Sequence, residues 1–301
     1  MSTPIAHDAD GIVGVGGGAA LDVAKAVGLM ATHEGRLFDY EDELPGARPV
    51  EDRIPHLVAL PTTAGTGSEV GRSAVIADDA THIKKIIFSP HLLAVAVYAD
   101  PELTVGLPAP ITAATGLDAL THNIEAYLAK DYHPICDGIA LEGLRLGAAN
   151  LHRAVANPTD LEARGGMLMS SMMGAIAFQK GLGLVHSTAH ALGTAADLHH
   201  GLANGVMIDH ALATTSRRCP SGSRRWRAPS VSTMPHRPAS CAGSPSSRRR
   251  SASRPGWRAR TSPPSGSSCW PSSPKPTPAT STTRPVTVDD FRLIFDKAFS
   301  A

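Results

Sequence analysis

Residues 214–283 contain no Asp, Glu, Leu, Ile, Phe or Tyr, yet they hold 13 of the 28 Lys and Arg residues and 12 of the 24 Pro residues. A segment without large aliphatic side chains cannot bury an apolar core, so we expect it to be disordered. A folded domain must therefore come from the other residues. Two hypotheses for the segment are an Arg-rich tail that binds nucleic acid, with Trp stacking on bases, and a frameshifted stretch of coding sequence.

The formal net charge of +1 is the sum of two opposite parts. Residues 214–283 contribute +13 and the remainder contributes −12. The acidic remainder has a single cysteine, Cys136, which we expect in the core because it stands in an apolar helical run. It has no long apolar run that predicts a membrane span, and residues 1–10 lack the features of a signal peptide. We therefore expect a cytoplasmic protein with no membrane partner.

Apolar runs separated by glycine turns and helical stretches predict α/β organisation up to about Leu107. These runs are residues 11–16, 56–60, 73–77 and 92–98. From Pro108 to His210 the periodicity is helical. Residues 167–178, MLMSSMMGAIAF, are apolar enough to be buried, and we expect their methionines in the core. The predicted fold class is α/β plus all-α, with an α/β domain over 1–107 and a helical domain over 108–213.

A carboxylate and three imidazoles predict a divalent-metal site. Asp118 and His122 are four residues apart in a helical stretch, so both side chains leave one face of the helix. His186 and His200 follow in a second helix-and-turn segment. This donor set suits Fe²⁺ or Zn²⁺ better than Mg²⁺ or Ca²⁺. An Asp-x-x-x-His pair is also common on helix surfaces, so the spacing alone leaves that alternative open.

Two loops have the composition of phosphate-binding turns. The first, Gly16–Gly17–Gly18, lies between an apolar strand and a helix that carries Asp22 and Lys25. Glycines at such a turn let the backbone approach a phosphate, and the helix N-terminus offers free N–H groups. The second, PTTAGTGSEV at 61–70, follows another strand with hydroxyls and amides that suit a pyrophosphate. A tight turn and a Ser/Thr-rich connection without ligands are the alternatives.

Four motifs together resemble the metal-dependent, iron-containing alcohol dehydrogenase family. They are GGG at 16–18 with Asp22 and Lys25, PTTAGTGSEV at 61–70, ATGLDALTHNIEAY at 114–127, and GLVHSTAHALG…HHGLAN at 183–204. The resemblance covers about residues 11–213 and returns at 283–299. It implies a dehydroquinate-synthase-like architecture, with a Rossmann-like N-terminal domain, a helical metal-binding domain and a C-terminal helix over 284–301.

The resemblance also implies the roles of individual residues. Asp118, His122, His186 and His200 would ligate Fe²⁺ or Zn²⁺. His190 would lie on the substrate side of the metal and is our candidate for relaying a proton. The positions implied to hold NAD or NADP are Gly17, Gly18, Thr62, Thr63, Thr66 and Lys84. The implied reaction is hydride transfer between an alcohol and the nicotinamide, with a small-molecule alcohol or aldehyde as the substrate and a homodimer as a candidate assembly.

Departures from the family pattern limit what the resemblance transfers. Ala19 replaces the serine that usually ends the glycine turn, and Gly71 replaces a threonine that follows Glu-Val. Family members have several strands before the glycine turn, so we expect an incomplete first βαβ unit and weaker dinucleotide binding. His199 is an extra imidazole, which we expect either behind the ligands or facing solvent.

The frameshift hypothesis can be tested against the genetic code. With suitable synonymous codons, residues 214–224 at a two-nucleotide offset encode Asn-Val-Glu-Ala-Val-Pro-Glu-Arg-Phe-Ala, which resembles the continuation of the family. Residues 268–280 at the same offset encode an amphipathic helix that ends in Gly-His. We therefore favour the frameshift and expect no nucleic-acid partner. An inactive remnant and a glycerol-dehydrogenase-like enzyme of the same fold stay open as alternatives.

Overall fold

The protein is described by a computed structural model that covers residues 9–42, 44–81, 83–196 and 198–217. In chain order, its elements are β1 (Gly11–Gly16), α1 (Gly18–Thr32), β2 (His56–Pro61), β3 (Ser73–Ala77), β4 (Lys84–Phe88), β5 (Ala96–Val97), α2 (Ala109–Leu128), α3 (Pro134–Ala156), α4 (Leu161–Ala177), α5 (Leu184–Ala196) and α6 (His200–Arg217). The predicted order, an α/β part followed by a helical part, is confirmed.

A parallel sheet in the order β1-β2-β5 is the centre of the α/β part. Strand β1 pairs with β2 along its whole length, from Gly11 opposite His56 to Gly16 opposite Pro61. Gly16 has a φ of 149°, and a Cβ there would lie 2.6 Å from the Ala20 Cβ, so the turn into α1 requires glycine. The carboxyl ends of β1 and β2 and the N-terminus of α1 therefore lie at one edge of the sheet.

An antiparallel hairpin of β3 and β4 forms a separate two-stranded sheet. Strand β4 was not among the predicted strands, since its sequence KKIIF begins with two lysines and forms no long apolar run. The apolar run at 92–98 is longer than the strand that it contains. Its first part belongs to a 3₁₀ turn at Pro90–Leu92, and only Ala96–Val97 pair with β2.

Five helices, α2 to α6, make up the helical part of the described chain. Prolines stand in the first turns of α2 and α3, where a missing N–H costs nothing, and the Asp160 side chain caps α4 by accepting from the Ala163 N–H at 3.0 Å. Met167 and Leu168 are buried in a cluster with Ala64 and Ala119. The prediction of a buried Met167 is confirmed, whereas Met169 is 47% exposed because it faces away from that cluster.

Two predicted segments fall at or beyond the limits of the description. Helix α6 continues to Arg217, four residues past the predicted boundary at 213. Residues 218–283 and the predicted helix at 284–301 lie outside the described residues. Within the described part, no single helix is long and apolar enough to cross a membrane, and one bent pair, Leu161–Lys180 with Leu184–Gly193, meets the length and composition criteria.

Candidate metal centre and cofactor-binding loops

The carboxylate of Asp118 lies in the middle of the predicted ligands. Its Oδ1 atom is 4.0 Å from the Nε2 of His122, 3.5 Å from that of His186 and 3.6 Å from that of His200. Asp118, His122 and His186 are buried, and their ligand atoms all lie within 4.8 Å of one another. Three helices, α2, α5 and α6, thus bring the four residues together.

This donor set fits a single divalent cation with nitrogen-rich ligation. One carboxylate and three imidazoles are the chemistry that Fe²⁺ and Zn²⁺ prefer. The rings of His122 and His186 stack at 4.5 Å between centroids, and His200 lies 5.5 Å from His186, so the three rings surround one small volume.

The ionisation of Asp118, His122 and His200 suits metal binding, whereas His186 must first lose a proton. Burial would raise the pKa of Asp118, but the surrounding His122, His186 and His200 hold it well below its ordinary range. Burial lowers the pKa of His122 to about 4 and that of His200 to about 3, so both rings are neutral near pH 7. Burial would also lower the pKa of His186, but hydrogen bonds to Asp118 and Glu125 raise it to about 9. A cation at His186 Nε2 must therefore displace a proton.

Glu125 belongs to the candidate site, although the sequence did not single it out. Its Oε2 atom lies 2.6 Å from the Nδ1 of His186, and its two oxygens accept the N–H groups of Val185 at 2.7 Å and His186 at 3.2 Å. The carboxylate therefore caps the start of α5 and turns the His186 ring so that Nε2 faces Asp118. The spacing of Asp118, His122 and Glu125 at i, i+4 and i+7 on α2 is the signal that could have identified it.

Asn204 is the second missed residue. It is fully buried on α6, one turn beyond His200, and its Nδ2 donates a hydrogen bond of 2.6 Å to Asp118 Oδ1. The same nitrogen lies 3.3 Å from His200 Nε2 and 3.4 Å from His186 Nε2. It ends the HHGLAN string that carried the resemblance, but the sequence offered no partner for it.

His190 and Lys84 lie beside the centre rather than in it. The His190 ring is 4.9 Å from the His200 ring, and the residue keeps an exposed edge. Partial burial, followed by the positive charges of His186 and Lys84, lowers the pKa of His190 to about 4. Lys84, exposed at the start of β4, is thus close enough to act on this imidazole. His199 is exposed, which agrees with the solvent-facing alternative.

The two predicted cofactor loops lie against each other at the edge of the parallel sheet. The Thr62 N–H donates to the Gly16 carbonyl at 2.9 Å. A Cβ on Gly17 would lie 3.2 Å from Thr63 Oγ1, and a Cβ on Gly18 would lie 2.5 Å from Thr66 Oγ1. Glycine therefore lets the second loop lie over the start of α1. The resulting surface combines backbone N–H groups with threonine hydroxyls, which suits a phosphate.

Asp22 and Lys25 hold these loops from beneath. Lys25 is buried and its ammonium donates to Ser68 O at 2.7 Å, Ser68 Oγ at 3.0 Å and Ser73 O at 2.8 Å. Asp22 accepts from Ser68 Oγ at 2.5 Å and from the Val75 N–H at 3.1 Å. These two motif residues thus tie α1 to the second loop and to β3, which is a structural role.

Of the two departures from the family pattern, one lies at the surface and one in the interior. Ala19 is exposed in the first turn of α1. Gly71 is buried, and its N–H donates to Ser68 O at 3.0 Å to close the turn that follows the second loop. The expectation of weaker dinucleotide binding stays a prediction.

The parallel sheet carries two glycine-containing loops, and the helices that follow carry the candidate metal ligands. This combination defines a class of proteins with a Rossmann-like part and a helical metal-binding part. Two family models match the chain, one for iron-containing alcohol dehydrogenase over residues 5–101 and one for the C-terminal part of the Fe-containing alcohol dehydrogenase family over residues 112–228. The chain belongs to the iron-containing alcohol dehydrogenase family.

Similar proteins agree with this assignment. The chain is 48% identical over 206 residues to 4-hydroxybutyrate dehydrogenase of Cupriavidus necator. The matched residues cover 66% of this chain and 53% of that protein. It is 43% identical to NAD-dependent methanol dehydrogenase of Bacillus methanolicus, over 69% of this chain and 54% of that protein. The chain thus spans about half the length of these relatives.

Solved structures show the same likeness. A 1,3-propanediol oxidoreductase is 42% identical with a TM-score of 0.66, over 71% of this chain and 56% of that one. Sulfoacetaldehyde reductase from Bifidobacterium kashiwanohense, solved in complex with NAD⁺, is 31% identical with a TM-score of 0.67, over 74% of this chain and 60% of that one.

Proposed function

We propose that this protein interconverts an alcohol and an aldehyde or ketone, with hydride transfer to or from a nicotinamide dinucleotide and with help from one bound Fe²⁺ or Zn²⁺. The observation that carries the proposal is the convergence of one carboxylate and three imidazoles around Asp118 Oδ1. Family membership supports the same reaction class.

The four ligands have separate parts in this proposal. Asp118, His122, His186 and His200 hold the cation, which supplies Lewis acidity toward the substrate oxygen. Asp118 provides the negative charge, and the neutral rings of His122 and His200 provide nitrogen lone pairs. Glu125 keeps the His186 ring in one orientation, so that the centre does not reorganise when a ligand enters.

The loops and His190 complete the catalytic arrangement. Gly17 and Gly18 let a pyrophosphate approach the N-terminus of α1, while Thr62, Thr63 and Thr66 offer hydroxyls and N–H groups to the dinucleotide. Lys84 would bind a cofactor hydroxyl or phosphate in this proposal, which is supported by the effect of its charge on the pKa of the neighbouring His190. The His190 ring is neutral near pH 7, so one of its nitrogens has a free lone pair that can take part in relaying the proton that leaves the alcohol.

The names of the similar proteins indicate a substrate class but no particular size. They specify 4-hydroxybutyrate, 1,3-propanediol, methanol and choline, which are primary alcohols, and one specifies long-chain alcohols. We therefore propose a primary alcohol and its aldehyde as the substrate pair. NAD is favoured by the NAD⁺ complex of one similar structure and by the name of one relative. NADP, the homodimer and the cytoplasmic location stay predictions.

The alternative that a specific observation favours is an inactive remnant of such an enzyme. The composition of residues 214–283 motivates it, because a stretch without large aliphatic residues cannot supply core helices. A glycerol-dehydrogenase-like activity stays open through the shared ligand pattern. Restoring the alternative reading frame across 214–283 is expected to increase the yield of soluble protein and the rate of alcohol-dependent NAD⁺ reduction.

The test compares metal content and activity in the full chain. We expect wild type to bind one Fe²⁺ or Zn²⁺ per chain and His200→Ala to lose it, while the neighbouring His199→Ala, whose exposed side chain serves as the control, keeps it. Equal metal content in wild type and His200→Ala would falsify the metal centre. Metal-loaded protein that reduces no NAD⁺ or NADP⁺ with methanol, 1,3-propanediol or 4-hydroxybutyrate would instead support the remnant.

A further inference from the structure

The Asn204 carboxamide contacts three of the four proposed ligands from a position between their helices. Its Nδ2 donates to Asp118 Oδ1 at 2.6 Å and lies 3.3 Å and 3.4 Å from the Nε2 atoms of His200 and His186. These partners belong to α2, α6 and α5. A single neutral donor therefore links the ligand atoms of all three helices.

Of the two polar atoms of this amide, the nitrogen is hydrogen-bonded, and the oxygen is not bonded to any described residue. Asn204 Oδ1 is buried and has no hydrogen-bond partner within the described part of the chain. Asn150 provides a contrast, because its Nδ2 donates to the Leu146 carbonyl at 2.9 Å and its Oδ1 accepts from Arg153 at 3.3 Å. A buried carbonyl oxygen without a hydrogen-bond partner is energetically costly. The Asn204 side chain thus keeps its hydrogen bond to Asp118 although its own carbonyl oxygen is left without a donor among the residues that the structure describes.

Asp118 requires such a donor for a physical reason. The carboxylate is 2% exposed, and a buried carboxylate is costly unless hydrogen bonds accompany it. When the Nε2 atoms of His122, His186 and His200 all face a cation, none of the three rings can donate to this oxygen. The Asn204 N–H, 2.6 Å from Oδ1, is the donor that remains, and it fixes the direction of this oxygen.

We propose that Asn204 is a positioning residue of the metal centre, which holds the Asp118 carboxylate with Oδ1 turned toward the three imidazoles. The inference rests on the proposed metal site. In this proposal Asn204 does not ligate the cation. Loss of its hydrogen bond to Asp118 lowers the affinity for the cation, because the carboxylate must then be ordered when the cation binds.

The test measures Zn²⁺ affinity by competition with a chromophoric chelator, using the full chain. We expect Asn204→Ala to bind Zn²⁺ about 10–100-fold more weakly than wild type. Asn204→Leu, which fills a similar space without a donor, is expected to show the same loss and carries the test if the alanine variant does not fold. Asn150→Ala is the control, since that amide contacts none of the four ligands, and it is expected to keep the wild-type affinity.

A second measurement separates positioning from packing. The visible absorption of Co²⁺ reports the geometry of its ligands, and we expect its intensity to change in both Asn204 variants while the far-UV circular dichroism stays that of wild type. Wild-type Zn²⁺ affinity in Asn204→Leu would overturn the inference, since it would show that only the occupied volume matters. A wild-type protein that binds no Zn²⁺ would overturn the metal centre itself, and the inference with it.

Discussion

Replacing Glu125 by glutamine changes one buried atom and separates the charge of this residue from its shape. In the native protein both carboxylate oxygens accept from N–H donors, Oε1 from Val185 and Oε2 from the backbone and Nδ1 of His186. A glutamine in the same position must turn an NH₂ group toward at least one of these donors. The substitution therefore creates a donor–donor contact as well as removing a negative charge next to His186.

The magnitude follows from this bonding pattern. One buried N–H without an acceptor costs about 1–3 kcal/mol of unfolding free energy. Loss of a carboxylate that orients a histidine ligand lowers metal affinity by about 10–100-fold. Each tenfold loss corresponds to about 1.4 kcal/mol of binding free energy. Both effects should appear, because Glu125 is 4% exposed and water cannot replace its bonds.

The assay combines denaturant unfolding of the metal-free protein with a Zn²⁺ titration. We expect Glu125→Gln to lower both the unfolding free energy and the Zn²⁺ affinity, whereas the control Glu142→Gln, which removes an exposed ion pair with Arg145, leaves the affinity unchanged. A loss of stability with wild-type Zn²⁺ affinity would show that Glu125 only caps α5. Unchanged values of both quantities would refute the reasoning altogether.

Three further predictions concern other parts of the site. Gly18→Ala is expected to weaken NAD⁺ binding roughly tenfold, about 1.4 kcal/mol, because its Cβ meets Thr66 Oγ1 at 2.5 Å, while Gly138→Ala, with open space around it, does not; equal NAD⁺ affinities in a fluorescence titration would contradict it. His190→Phe is expected to keep its metal and lose about 10²–10⁴-fold in kcat if the ring relays a proton, and an unchanged kcat would limit His190 to shaping the pocket. Burial raises the pKa of the Glu69 carboxyl from 4.5 to about 7, so the folded state binds the carboxyl proton more tightly than the unfolded state does. The protonated carboxyl therefore contributes fully to the free energy of unfolding below pH 4.5, and this contribution is lost as the pH rises to 7. Glu69→Gln should thus gain on the order of 3 kcal/mol relative to wild type above pH 7, and parallel curves of unfolding free energy against pH would count against this.

The sequence predicted the parts of the site that stand in contiguous motifs. The spacing of Asp118 and His122 on one helix face and the glycines between β1 and α1 follow from local geometry, and the structure brings these features together. Glu125 and Asn204 escaped prediction because their meaning depends on partners 61 and 86 residues away, which no local pattern specifies. Strand β4 was missed for a similar reason, since it is defined by its pairing with β3 rather than by an apolar run.

The second glycine loop joins cofactor binding to metal binding through a backbone atom. The Gly65 carbonyl lies 3.3 Å from His122 Nδ1, and because a carbonyl oxygen can only accept, this nitrogen carries the proton and Nε2 presents its lone pair toward Asp118. A Cβ on Gly65 would lie 2.9 Å from the Thr115 Cβ, so glycine is needed for this close approach of the loop to α2. The loop that carries Thr62, Thr63 and Thr66 therefore also fixes the tautomer of a metal ligand. Displacing this loop should disturb both dinucleotide binding and metal affinity, although no loop side chain contacts the cation in this proposal.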